Sequence, residues 1–148
     1  MFNKLQVRLQ RPEVLPNRAF PTDAGLDLRS KVEVILCKGE RTLVGTGVQV
    51  RIPEGYVGLL LPRSSLSKKY ILMTNSCGVI DSQYRGEIMA SLLYHGETDW
   101  CIINKDERIV QLLIVPIALP SLEVVSETDA LWNDTSRGTG GFGSTGSV

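Results

Sequence analysis

Along most of the chain, apolar and polar residues alternate with a period of two. KLQVRL sets Leu5, Val7 and Leu9 against polar neighbours, and KVEVILC, GVQVRI and EIMASLLY repeat the pattern. In the last of these, Ile88, Ala90, Leu92 and Tyr94 fall on one face. Successive side chains of a strand point to opposite faces, so each run predicts a half-buried β-strand. Turn signals at PEG (53–55), HGE (95–97) and NKDE (104–107) separate the runs at short intervals. That spacing predicts an all-β sandwich, jelly roll or small barrel rather than alternating βα units. One short helix is expected at SSLSKKY, capped by Ser64 or Ser65 with Pro62 and Arg63 just outside it.

Composition changes abruptly after Trp132, and the sequence ends RGTGGFGSTGSV. Glycine and serine bury little and lose much backbone entropy when ordered, so this stretch adds little to a core. Gly138 to Gly143 spell GxGxxG, but five residues follow, leaving no room for the helix and acidic residue that a dinucleotide fingerprint needs. Two readings stay open for it, a disordered tail or an arm that orders over a ligand.

With 148 residues the chain is about one domain. Sixteen basic and sixteen acidic side chains cancel, and no basic block suits nucleic acid or a membrane, which leaves a small charged ligand. The first residues, MFNKLQVRLQR, carry charges where a signal peptide has its apolar run, and VQLLIVPIAL is too short to span a bilayer. A soluble, cytoplasmic protein is expected. Cys37, Cys77 and Cys101 lack CxxC spacing and read as buried thiols, and one histidine, His95, leaves few partners for zinc.

Four segments carry polar residues that a β fold does not itself require. In NSCGVIDSQYRGEI (75–88), Gly78 and the SQ pair predict a tight hairpin with Asp81 and Tyr84 near its turn. A carboxylate there serves as a general base if a water and an electrophile lie within reach, and otherwise is a turn aspartate. In LPRSSLSKK (61–69), Arg63, Ser64 and Ser65 at a helix start form either an anion cradle or a plain N-cap beside a surface arginine. Asp23 and Asp27 of PTDAGLDLRS are loop aspartates or holders of a hydrated cation. DERIVQLLIV places Arg108 and Gln111 in a buried strand, where an amide needs a partner. No GxxxxGK[ST] loop is present, so this is not a P-loop enzyme.

Taken in order, DAGLDL, PRSSL, GVIDSQYRGEI, ERIVQL and RGTGGFGSTG resemble the five motifs of the trimeric deoxyuridine triphosphatases (dUTPases) over nearly the whole chain. The resemblance implies a distorted, β-clip type jelly roll, a homotrimer with active sites built between subunits, and a β domain over 1–136. It also implies a glycine-rich arm, 137–148, exchanged between subunits and closing over the nucleotide. The implied activity is hydrolysis of dUTP to dUMP and pyrophosphate, which limits uracil in DNA and supplies dUMP for thymidylate synthesis. By the same resemblance Asp81 activates the water that attacks the α-phosphorus, and Asp27 reaches Mg2+ through a coordinated water. Arg63, Ser64, Ser65 and Gln111 hold the phosphates, and Tyr84 lies against the deoxyribose. Asn75 and the backbone from Gly78 pair with uracil, while Phe142 stacks on it. Arg137, Gly143, Ser144 and Thr145 complete the phosphate site.

Four positions depart from the family pattern. Asp106-Glu107-Arg108 stands for the usual Gly-Asp-Arg, Cys77 for a proline or small residue, and Ser30 for alanine. The rival activities are deamination of dCTP on the same fold, and nucleotide binding by a regulatory trimer.

Overall fold

The computed structural model of the protein describes residues 4–129, 131–132 and 134–141. Its compact units are Met1–Ala118 and Leu119–Val148.

In the first unit the alternating runs become antiparallel strands: β1 Gln6–Leu9, β2 Leu26–Arg29, β3 Val34–Cys37, β4 Arg41–Gly45, β5 Val48–Arg51 and β6 Tyr56–Pro62. After the helix α1, Ser65–Lys68, come β7 Ile71–Met73, β8 Gly78–Ile80, β9 Met89–Tyr94, β10 Trp100–Ile103 and β11 Arg108–Pro116. They form a four-stranded sheet in the order β2-β11-β6-β8, a three-stranded sheet β4-β9-β7, and the pairs β1-β5 and β3-β10. Neighbours far apart in sequence, such as β2 and β11, mark a crossing topology rather than a simple meander.

Burial follows the alternation. Ile88, Ala90, Leu92 and Tyr94 all point inward, and Leu28, Leu36, Leu60, Ile103, Ile109 and Leu112 join them in one core. The seven-residue register between β6 and β11, from Val110 opposite Pro62 to Pro116 opposite Tyr56, is the longest pairing in the four-stranded sheet. Both prolines lie at strand ends, where a missing N–H costs no interior ladder bond. At Gly58 a Cβ would come within 2.7 Å of Ile52 Cδ1 and 3.1 Å of Leu112 Cδ1, so the core closes directly on the backbone there.

Three expectations need correction. Asp81 and Tyr84 do not sit on a hairpin: β8 pairs with β6 and β9 with β4 and β7, so residues 81–88 form a connection between two sheets. The glycine and polar residues signalled the turn, but strand partners are chosen by burial and not by sequence adjacency. Ser64 occupies the N-cap of α1 in a helical conformation and makes no side-chain cap bond. The helix is held instead by Leu66, buried in the core, and by backbone bonds such as Leu66 N–H to Arg63 O (3.0 Å). The cysteines are not all buried: Cys37, at the outward end of β3, is exposed, and Cys77 and Cys101 are half-buried.

Among the described residues of the second unit no strand forms. Backbone turns close from Ser126 to Asp129 (3.0 Å) and from Thr135 to Gly138 (3.3 Å), and Gly138 adopts φ of +52°.

Candidate functional site

Asp27 sits inside β2, whose partner β11 brings Gln111 opposite it. Its carboxylate, 10% exposed, lies between two guanidinium groups: Arg63 Nε is ion-paired with Oδ1 at 2.9 Å, and Arg108 NH1 donates to Oδ2 at 3.1 Å. A charge this buried needs such partners. The bracket in turn fixes Arg63 at the point where β6 gives way to α1. Ser64 and Gln111 complete a cleft of about 330 Å3 together with Asp23 and Gly25. Gln111 Nε2 donates to Pro62 O at 3.2 Å, which supplies the partner its amide required. A Cβ on Gly25 would stand 2.4 Å from Gln111 Oε1, so the glycine of DAGLDL makes room for the amide. The cleft combines a guanidinium, a hydroxyl and an amide, the donors that a phosphate chain accepts. With only four residues, α1 adds little macrodipole, so the positive charge here comes from the arginines. Ser65 is the first residue of α1, beside the cleft in sequence.

A second pocket, of about 200 Å3, lies at Ile80, Asp81, Tyr84, Glu87 and Met89. Asp81 follows β8 and is exposed, and its carbonyl accepts the Tyr84 N–H at 3.1 Å. Its carboxylate makes no hydrogen bond among the described residues. The Tyr84 hydroxyl donates to Glu87 O at 2.9 Å, and its ring crosses Gly86, where a Cβ would be 2.4 Å from the hydroxyl oxygen. The Glu87 carboxylate accepts from Gly47 N–H (2.7 Å) and Lys31 Nζ (2.8 Å). Burial opposes its ionisation, but Lys31 and the Gly47 N–H together hold the carboxyl below its ordinary value. Asn75 stands next to Gly78, a Cβ on which would lie 3.4 Å from the Asn75 amide nitrogen. Beyond Gly78, β8 is an edge strand, paired among the described residues only with β6.

The two pockets share no residue, and the strand register explains why. Ile80 faces Gly58 across β6-β8, so Asp81 lies at the start of β6, whereas Arg63 follows its end. The five residues from Gly58 to Arg63 span roughly 17 Å at the rise of an extended strand. Adjacent phosphates of one triphosphate are much closer together than that. A larger cleft of about 460 Å3 over β1 and β5, lined by Arg8, Arg51 and Arg85, contains none of the predicted site residues.

The departures from the family pattern acquire physical reasons. Asp106 has φ of +65°, a left-handed conformation that glycine adopts freely and aspartate tolerates better than most residues. It is also ion-paired with Arg11, whose hydrogen bond holds the Asp106 carboxyl below its usual range. Glu107 closes the turn before β11, accepting from Lys69 Nζ (2.5 Å) and Asn104 N–H (3.0 Å). Ser30, fully buried, donates its hydroxyl to Val32 O at 2.6 Å. Arg137 lies in a turn of the second unit, its Nε donating to Gly140 O at 2.9 Å. Phe142, Gly143, Ser144 and Thr145 lie outside the described residues. Sequence reasoning assigned no role to Arg108, Gly25 or Glu87; all three were within the motif segments, but the contacts that give them roles come from segments distant in sequence.

Comparison with known proteins identifies relatives over nearly the whole chain. The dUTPase family model matches residues 11–146. The deoxyuridine 5'-triphosphate nucleotidohydrolase of Mycolicibacterium vanbaalenii is 47% identical over 142 residues, which are 95% of this chain and 92% of that protein. A mutant of the Staphylococcus bacteriophage 80alpha dUTPase with dUpNHpp superposes with a TM-score of 0.87 at 34% identity, covering 98% of this chain and 99% of that one. A mutant dUTPase of the S. aureus phage phi11, whose structure details the coordination of a structural Mg(II) ion, gives a TM-score of 0.78 at 33% identity, covering 85% and 99%. Five ordered motifs, an all-β jelly-roll fold and the matched length lead to one conclusion: the chain belongs to the dUTPase family.

Proposed function

We propose that the protein hydrolyses dUTP to dUMP and pyrophosphate, at sites assembled from more than one copy of the chain. The observation that carries the second half is the separation of Asp81 from the Arg63 cleft along β6. A single chain offers a phosphate cradle without its base, and a base without its cradle. A homotrimer that sets the Asp81 pocket of one copy against the Arg63 cleft of another completes both.

In that arrangement Arg63, Ser64, Ser65 and Gln111 bind and orient the phosphates, and Asp27 holds the Arg63 and Arg108 guanidinium groups in place. Asp81 orients a water and takes its proton as the water oxygen bonds to the α-phosphorus, and the bond to the β-phosphate bridging oxygen breaks to release pyrophosphate. Uracil pairs with the free outer edge of β8 and with Asn75, as an added strand would. The 5-methyl group of thymine lacks space there, and cytosine presents a donor where uracil presents an acceptor. Tyr84 excludes a 2′-hydroxyl. The glycine arm, with Arg137, Phe142, Gly143, Ser144 and Thr145, comes from a neighbouring copy and shuts out water.

Among the described residues no three His, Cys, Asp or Glu side chains form a metal cage. Each Asp27 oxygen is already ion-paired with an arginine but keeps acceptor capacity, which fits contact with a hydrated ion through water. Magnesium commonly binds through substrate phosphates and retained waters in this way. When bound, it would neutralise phosphate charge. No helix among the described residues is long and apolar enough to cross a membrane. The proposed reaction itself places the protein with the cytoplasmic nucleotide pool, where it removes dUTP before polymerases use it and yields dUMP for thymidylate synthesis.

The test is incubation of the purified protein with dUTP and magnesium, and separately with UTP, dTTP and dCTP. Pyrophosphate and dUMP are expected from dUTP alone. Ammonia from dCTP would favour the deaminase, and nucleotide binding without turnover would favour a regulatory trimer.

A further inference from the structure

We propose that Glu87 and Lys31 are positioning residues that set sugar selectivity, by fixing the connection that presents Asp81 and Tyr84; this rests on the dUTP-hydrolysing reading above. The connection joins strands of two different sheets and has no ladder between its own ends. Its fastening is therefore local. At its far end the Glu87 carboxylate reaches across to Gly47 N–H (2.7 Å) and Lys31 Nζ (2.8 Å), with Gln10 Nε2 at 3.4 Å. The next residue continues the attachment through Ile88 N–H to Val48 O at 2.8 Å.

Two glycines are required by this clamp. A Cβ on Gly45 would stand 2.5 Å from Glu87 Oε1 and 2.7 Å from Lys31 Cε, and Gly47, whose N–H is the donor, has φ of +69°. The same residue that is clamped carries the acceptor for Tyr84: the phenol hydroxyl bonds to the Glu87 carbonyl at 2.9 Å. The carboxylate end of Glu87 thus fixes the carbonyl end, and the carbonyl fixes the ring. Rejection of a 2′-hydroxyl depends on a steric contact with that ring, and a displacement of about 1 Å at a site can change rates by about 10²-fold. Neither Glu87 nor Lys31 is assigned contact with the nucleotide. Their role is exerted through the tyrosine.

The experiment compares kcat/KM for dUTP and UTP, together with Tm, in the wild type, Glu87→Gln, Lys31→Met and the double variant. Glu87→Gln keeps size and one acceptor but loses the charge, and Lys31→Met keeps the stem. Each single variant should lower the dUTP-over-UTP ratio by about tenfold, with the double variant little worse than either, as expected of groups acting as one unit. The core variant Ile103→Val, remote in sequence from the connection, should lower Tm and leave the ratio unchanged. A ratio within about twofold of wild type in both single variants, whatever their Tm, would overturn the positioning role. Failure of the wild type itself to prefer dUTP would instead overturn the functional reading on which this one rests.

Discussion

Replacing Asp27 by asparagine separates two roles that the site allows this carboxylate. It is ion-paired with Arg63 Nε at 2.9 Å and accepts from Arg108 NH1 at 3.1 Å while itself only 10% exposed. The hydrogen bond from Arg108 contributes about 1.5–3 kcal/mol, as bonds to charged groups do, and the Arg63 ion pair adds attraction to it. The arginine side chains are 26% and 37% exposed, so water screens the charge they would lose, and the asparagine carbonyl still accepts from one of them. A loss of about 1–3 kcal/mol is the resulting expectation, which for a chain of this size lowers Tm by about 3–10 °C. Arg63 also loses its fixed position, so KM for dUTP should rise even at saturating magnesium. The assay pairs calorimetric Tm with pyrophosphate release measured across dUTP and magnesium concentrations. An unchanged Tm and KM, with only a higher magnesium requirement, would show that Asp27 serves the metal alone and that its bracket of arginines is incidental.

Asp81→Asn should fold and bind nucleotide normally but lose turnover by about 10²-fold or more, because an amide cannot take the proton; near-normal kcat would remove Asp81 as the base. Deleting residues 137–148 should change Tm by no more than about 2 °C while sharply lowering turnover, and a large loss of stability would make the arm structural. Acidification tests the Glu87 clamp. Its carboxyl is held below the ordinary 4.5, so the clamp's stabilisation is complete above that pH and is lost as pH falls through the lowered value. The Tm gap between wild type and Glu87→Gln should therefore hold from neutral pH down to 4.5 and shrink as pH falls below it, and a gap that stays constant into acid would contradict the ionised clamp.

The strands were legible because their physics is local. One buried face per strand writes a period of two, and residues 88 to 94 met that expectation at every inward position. Pairing was not legible in the same way. Gly78 and the SQ pair announce a reversal, but whether β8 then pairs with β9 or with β6 depends on which surface of the core it covers. The outward end of β3 likewise exposes Cys37 against the general preference of cysteine for the interior. At the site, the residues that would touch nucleotide were found through motif resemblance. Their supports were not: Asp27 is bracketed by arginines from β11 and the end of β6, and Glu87 by Lys31 and Gly47 from other segments, none of which is near in sequence. Asp106 is the opposite case, since a non-glycine residue where the family places glycine is visible in the sequence. Only the backbone angle and the Arg11 pair show how it is accommodated.

Whether the active site is shared between copies can be read from mixed assemblies of two inactive proteins, Asp81→Asn and Arg63→Ala. The register of β6 holds these two residues at opposite ends of one strand, so each variant should retain the half-site that the other lacks. Co-assembled at equal amounts, and with mixed trimers confirmed by mass spectrometry, about a quarter of sites would draw Asp81 from an Arg63→Ala chain and Arg63 from an Asp81→Asn chain. dUTP hydrolysis should then reappear at about a quarter of the wild-type rate per site. A mixture as inactive as its two parents would mean that Asp81 and Arg63 serve a site within one chain, contrary to the geometry described.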